Sequence, residues 1–161
     1  MPSRRWPAAR FAQVADGLAA HGWQVILTGA AHERAIAGQV LDHMTAPVLD
    51  LTGRTTLGVL ALLVARAGLL VSNDTSVSHL AAASGTPSVI ICCGADPVRW
   101  APLDHWRHRV LAAPAACRPC AVETCPIGHP CALGVSAPQV LEAALALGEE
   151  CGVAPGWSAA P

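Results

Sequence analysis

Residues 69–87 read LLVSNDTSVSHLAAASGTP. A short apolar run, Leu69-Leu70-Val71, gives way to the polar knot Ser72-Asn73-Asp74-Thr75-Ser76, and an alanine-rich segment carries the chain to Gly85. The apolar run, bounded behind by Gly68, predicts a buried strand. The alanine-rich segment predicts a helix closed by the turn Gly85-Thr86-Pro87, and residues 88–92 predict the next strand. An acid, three hydroxyls and an imidazole at a strand-to-helix handover are out of place in a core. They suit the carboxyl end of a parallel strand, where ligands bind in α/β sheets.

The same alternation extends in both directions. Residues 7–20 predict a helix, with Phe11, Val14, Ala15 and Leu18 at helical spacing and His21-Gly22 ending it. Residues 23–27 form a β-rich run, Thr28-Gly29-Ala30 turns, and a helix is expected over 33–43. A strand over 48–51 and a helix capped by Thr55 or Thr56 and running to about 67 follow. Later elements are a last strand over 109–112, a loop rich in Cys, Pro and Gly over 117–131, and a closing helix over 138–147. The expected fold class is α/β, a Rossmann-like parallel sheet. One domain is expected over residues 1–150, including the 117–131 loop, with a frayed tail over 151–161.

Composition narrows the function classes. The chain has 161 residues, 53% hydrophobic and 13% charged, which supports one globular core. Net charge is −1 and the ten basic residues, all Arg, are scattered, so no nucleic-acid footprint is expected. No apolar run reaches the length of a spanning helix; residues 57–71 come closest and are interrupted by Arg66. The opening Met1-Pro2-Ser3-Arg4-Arg5-Trp6-Pro7 lacks the apolar stretch of a secretory signal, so a reducing cytoplasm is the expected setting.

A helix starting near Ser76 offers free backbone N–H groups and a positive dipole end, a ready anion site. Thr75 and Ser76 add hydroxyl donors. Asp74 would repel an anion, so it either accepts sugar hydroxyls or merely caps the helix. His79 shares a face with Ser76, Leu80 and Ala83; it serves a ligand as a neutral imidazole or is satisfied inside the fold. Glu33, opening a helix after a strand, is either a ribose acceptor or a dipole partner. Cys117, Cys120, Cys125 and Cys131, with His129 close by, have metal-like spacing. Zinc is one reading, and reduced thiols packing a loop is the favoured one.

In order along the chain, Arg4-Arg5-Trp6-Pro7, Gly29-Ala30-Ala31-His32-Glu33, Leu51-Thr52-Gly53-Arg54-Thr55-Thr56-Leu57, Asn73-Asp74-Thr75, His79-Leu80-Ala81-Ala82-Ala83, Gly85-Thr86-Pro87, Asp96-Pro97, Arg99-Trp100 and Cys125-Pro126-Ile127-Gly128-His129 resemble glycosyltransferase family 9, the ADP-heptose:lipopolysaccharide heptosyltransferases. The resemblance covers residues 3–148. It implies the carboxyl-terminal half of a GT-B fold, which holds the nucleotide-sugar donor, ADP-heptose in well-known members. On that likeness Asp74 binds heptose hydroxyls, Thr75 and Ser76 hold the diphosphate with His79 nearby, Glu33 takes the ribose, and Arg4 stands where the family has a phosphate-binding lysine. Ser76 departs from the family's glycine, and Cys92-Cys93-Gly94-Ala95 from its Phe-Gly-Pro-Thr.

The family's amino-terminal domain, with its catalytic aspartate, has no counterpart in these residues, so no catalytic base is expected here. The strand that precedes Arg4 in the family is also missing, which leaves a gap in the sheet. The expectation is a fragment or one half of a split enzyme, inactive alone, partnered by an amino-terminal half. The implied acceptor is a lipid-linked saccharide, the implied setting the cytoplasm or the inner face of the inner membrane, and no cofactor is required. The rival reading is a non-catalytic nucleotide-binding module with a structural metal in the Cys loop.

Overall fold

The computed structural model describes residues 1–155. Its strands are β1 (Val25–Leu27), β2 (Val48–Asp50), β3 (Leu70–Asn73), β4 (Ser88–Ile91) and β5 (His108–Leu111). Its α-helices are α1 (Ala8–Ala20), α2 (Arg34–Leu41), α3 (Leu57–Arg66), α4 (Ser76–Ser84), the single turns α5 (Pro97–Trp100) and α6 (Pro130–Leu133), and α7 (Ala137–Glu150). The expected elements are all present, with ends shifted by one to three residues. The two single turns were not expected; each starts at a proline and is too short to show a period.

Every strand pairing is parallel, but the strands form two sheets, β1–β2 and β3–β4–β5. From β1 the chain winds outward through α2 to β2. From β3 it winds the other way through α4 to β4 and on to β5. This is the doubly wound order with one inner position vacant, between β1 and β3. The expected gap in the sheet therefore falls at the point where the winding reverses.

Helices α1, α2 and α7 pack together on one face, and α3 packs with α4. The core lies between β4 and the α1–α7 pair, where Val89, Ile91, Val14, Val140, Ala144 and Leu147 are buried. Gly17 permits that pairing, because a Cβ there would lie 2.5 Å from Leu141 Cδ2. Helix α7 begins with a capping box, in which Ser136 Oγ and the Gln139 side chain satisfy each other's backbone N–H groups. Asp16 of α1 accepts the N–H groups of Thr45 and Ala46 at 3.0 and 2.9 Å, fixing the segment that leads into β2.

The expected frayed tail is only partly seen. Residues 151–155 stay attached: Cys151 N–H reaches Leu147 O at 3.0 Å and Val153 N–H reaches Gly148 O at 2.8 Å. Val153 also packs on Gly68, where a Cβ would meet its Cγ1 at 2.5 Å. Residues 156–161 of the expected tail lie outside the described residues.

His108 opens β5 fully inside the fold, its Nδ1 2.8 Å from Ser88 Oγ. Burial pushes its pKa below the ordinary 6.5, against an opposing pull from Asp104. Unfolded chains then bind the proton more readily than folded ones. Stability is full above about pH 6.5 and falls as pH drops from there through the lower folded pKa. Urea midpoints measured from about pH 7.5 to about pH 5.5 should fall, and His108→Gln should flatten that slope.

Candidate nucleotide-sugar site

Helix α4 starts immediately beyond the carboxyl end of β3. Its N-cap is Thr75, and no side chain caps it. The Thr75 hydroxyl lies 3.5 Å from Asn73 O, and Thr75 O accepts the Ser78 hydroxyl at 2.7 Å. The N–H groups of Ser76 and Val77 have no intrahelical acceptor at this position, so the positive end of α4 faces outward. Asp74 is not the cap. Its N–H joins Ile91 O at 3.2 Å, and its carboxylate does not cap the helix. The capping reading of Asp74 is therefore set aside.

Burial pushes the Asp74 carboxyl up from its ordinary range, while His79 and Arg4 pull it down. The three side chains thus share one electrostatic neighbourhood. Arg4 is exposed and donates to Cys120 O at 3.3 Å. His79 is exposed beside Trp100, with ring centroids 6.4 Å apart and planes tilted by 60°. That placement sets aside the reading of His79 as a satisfied core histidine.

Glu33 lies across the vacant strand position, at the carboxyl end of β1. Its Oε2 accepts the Ala30 N–H at 2.8 Å, while Glu33 N–H returns to Ala30 O at 2.9 Å. Glu33 therefore does stabilise its own turn, as the local reading had it. One carboxylate oxygen completes the turn, and the other is available. The turn is held from β2's side by Gly53, whose N–H reaches Gly29 O at 2.8 Å. Gly53 sits at φ +68°, and a Cβ there would come within 2.9 Å of Ala31 Cα.

A cavity of about 570 Å³ opens between the two sheets. Thr28, Gly29, Ala30 and Glu33 line it from the β1 side, and Asn73, Thr75, Ser76 and Val77 from the β3 side. The structure thus assembles the expected residues in two groups. Glu33, Thr75 and Ser76 share the cavity, whereas Arg4, Asp74 and His79 form the adjoining charged cluster.

Cys117 is exposed, Cys120 and Cys125 are half-buried and Cys131 is buried. Among the described residues no group of three or more His, Cys, Asp or Glu side chains is gathered to hold a metal. The loop grips the turn that carries Arg4. Ser3 N–H joins Glu123 O at 2.9 Å, His129 Nε2 lies 2.6 Å from Ser3 O, and Cys120 N–H joins Gly94 O at 2.7 Å. Arg118 donates to the carbonyls of Cys93 and Ala113 at 3.0 and 2.9 Å. Burial pushes the Cys92 thiol to about 11 and the Cys93 thiol to about 12, so neither is a thiolate nucleophile at neutral pH.

Two contributors were not picked out from sequence. Asn73 Oδ1 accepts the Trp6 N–H at 2.9 Å, and Trp100 flanks His79. Both stand within motifs that mark this chain, but their partners are distant in sequence, so spacing could not reveal them.

The profile of glycosyltransferase family 9 (heptosyltransferase) matches residues 1–130. The chain belongs to that family. Lipopolysaccharide heptosyltransferase 2 of Escherichia coli is 32% identical to it over 114 residues, 68% of this chain and 32% of that protein. Lipopolysaccharide heptosyltransferase 3 of Escherichia coli is 32% identical over 109 residues, 66% of this chain and 31% of that protein. The solved structure of Escherichia coli ADP-heptose lps heptosyltransferase II superposes with a TM-score of 0.81 at 26% identity, covering 94% of this chain and 44% of that one. A family 9 glycosyl transferase from Veillonella parvula gives 0.80 at 27% identity, covering 93% and 43%. The fold is that of part of a GT-B glycosyltransferase, and the chain spans about a third of the length of the curated relatives it matches.

Asp74 offers a test that separates ligand binding from structure. Its raised pKa means that the folded state disfavours the ionised form, so the charge costs stability at neutral pH. Asp74→Ala should leave the thermal midpoint unchanged or higher. A lost N-cap would instead lower stability by about 1 kcal/mol. Differential scanning calorimetry of the two proteins decides between these.

Proposed function

We propose that this chain is the donor-binding half of a heptosyltransferase-type glycosyltransferase, which holds ADP-heptose while its heptose is transferred to the inner core of lipopolysaccharide. One observation carries the reading: the uncapped start of α4 and the Glu33 turn open onto the same cavity from opposite sides. Backbone N–H groups at Ser76 and Val77, with the Thr75 hydroxyl, suit a diphosphate. The available oxygen of Glu33 suits a ribose hydroxyl, and Asp74 suits hydroxyls of the sugar.

Transfer then proceeds with inversion. A base on the amino-terminal half takes the proton of the acceptor hydroxyl, and that oxygen attacks the anomeric carbon. The bond from that carbon to the diphosphate breaks, and ADP leaves with the electron pair. Negative charge grows on the diphosphate as the bond breaks. The α4 dipole and the Arg4 guanidinium oppose that charge from fixed positions, with no reorganisation at the moment of reaction. A ring N–H of His79 can donate to a phosphate or sugar oxygen. The positive potential comes from the chain itself, so the proposal calls for no cofactor.

The remaining partners follow from the same reading: a lipid-linked saccharide acceptor and an amino-terminal GT-B half that supplies the base. Work at the cytoplasmic face of the inner membrane fits this acceptor. Among the described residues no helix is long and apolar enough to cross a membrane.

Calorimetric titration with ADP, GDP and UDP tests the donor assignment. ADP should bind in preference to the other two, and Glu33→Ala should weaken it about tenfold or more. Glu33→Gln keeps an acceptor for the Ala30 N–H, and so isolates the ribose contact from the turn. Asp74→Ala should weaken ADP-heptose more than ADP. Equal binding of all three nucleotides, or binding of none to the folded chain, would overturn the assignment.

A further inference from the structure

Trp100 stands at the edge of the site with 47% of its surface open to solvent. It is the last residue of α5, the single turn that follows β4. That turn is well held for its size. Asp96 Oδ1 accepts the Val98 N–H at 3.0 Å, Asp96 O accepts the Trp100 N–H at 3.1 Å, and Pro97 fixes the first helical residue. Residues 92–95, which lead into the turn, are buried, so its base is set in the fold. An indole left half open loses the gain of burial. One that is also held in place offers a ligand a surface whose backbone is already ordered.

The ring's polar neighbours leave it accessible. His79 lies 6.4 Å away at a tilt of 60°, and the Arg99 guanidinium carbon lies 5.4 Å from the indole centroid. Both side chains are themselves exposed, so neither contact closes the indole off.

Position along the site gives the ring its role. Glu33 marks the β1 side of the cavity and the start of α4 the β3 side. Trp100 follows β4, one strand further from β1. With ribose at Glu33 and diphosphate at α4, the sugar beyond the diphosphate falls on the Trp100 side, and the base falls at the opposite end. Asp74 stands next to this region, its N–H joined to Ile91 O at the end of β4. A pyranose has two kinds of surface. Hydroxyls around its rim need hydrogen-bond partners, while its C–H bonds form apolar patches of slight positive charge. A carboxylate suits the first, and an indole face, apolar and electron-rich, suits the second.

Resting on the donor assignment above, we propose that Trp100 is the sugar platform of the site: its indole packs on the C–H face of the heptose while Asp74 accepts hydroxyls at the rim. The contact exists only while the sugar is attached to the nucleotide. ADP, left after transfer, has nothing to place on the ring, so Trp100 separates substrate from product.

Calorimetric titration of the full chain with ADP and with ADP-heptose, repeated on Trp100→Ala and Trp100→Phe, tests this. Trp100→Ala should weaken ADP-heptose about tenfold and leave ADP within about twofold. Trp100→Phe keeps an aromatic face and should recover most of the loss. Tryptophan fluorescence adds a reading that a merely structural role would not move. ADP-heptose should shift the emission to the blue by covering an exposed indole, ADP should not, and Trp100→Phe should abolish the shift. Equal losses of ADP and ADP-heptose in Trp100→Ala would make Trp100 a support for the diphosphate end and overturn the proposal. So would full ADP-heptose affinity in Trp100→Ala, or an unaltered chain that binds ADP-heptose no more tightly than ADP. Each of these results leaves a preference for ADP over GDP and UDP intact, so the platform fails while the donor assignment stands. Loss of that preference in the unaltered chain is failure of the donor assignment, and the platform falls with it.

Discussion

Trp6 binds the amino-terminal turn to two separate parts of the fold. Its backbone N–H is held by Asn73 Oδ1 at the end of β3, and its indole N–H by Val135 O ahead of α7, both at 2.9 Å. The ring is buried and meets Phe11 edge-on, with centroids 5.0 Å apart. This one residue therefore sets where α1 begins, closes the core under α7, and holds Arg4 beside Asp74. The indole bond is buried and the backbone bond partly so, so losing the first in particular would strand a polar group. The Cys loop adds a second grip on the same turn. The position of the site's principal cation thus depends on contacts made more than 60 residues away in sequence.

The electrostatics of the site follow from that placement. A half-buried carboxylate is an awkward neighbour for a diphosphate, and nothing in the local chain neutralises Asp74 by capping or by a hydrogen bond. Its compensation comes across space, from Arg4 and His79. The arrangement sets an acceptor beside a run of donors, which matches a ligand that is anionic at one end and rich in hydroxyls at the other. A simple phosphate site would have no use for the acid. Stability is sacrificed locally for a site that can tell the two ends of such a ligand apart.

Much of this was legible in the sequence because the fold repeats a simple rule. Gly68, Gly85 and Pro87 punctuate strand and helix cleanly, and the polar knot marks a carboxyl end. The missing inner strand could be anticipated, since the order of motifs told which strand had no counterpart. Local competition was harder to read. Glu33 both closes its own turn and faces the cavity, and no pattern of residue types shows how its two oxygens are divided. The cysteine spacing suggested ligands, but it gave no sign that the loop's backbone holds the amino-terminal turn. Asn73 and Trp100 depend on contacts between distant segments, which sequence spacing does not encode.

Gly53 has a consequence of its own. Its left-handed backbone lets the β2 side reach over and hold the Gly29–Glu33 turn, so Glu33 is fixed to β1 and β2 rather than to the rest of the molecule. Thr75 and Ser76 are fixed to β3. Under the proposed function, ribose and diphosphate would be gripped by jaws on different sheets, and the width of the seam would act as a ruler. A seam one strand wide would then select the length from ribose to diphosphate before any side chain chooses the base. A change in how the sheets are spaced would then re-size the ligand without altering a single contact residue.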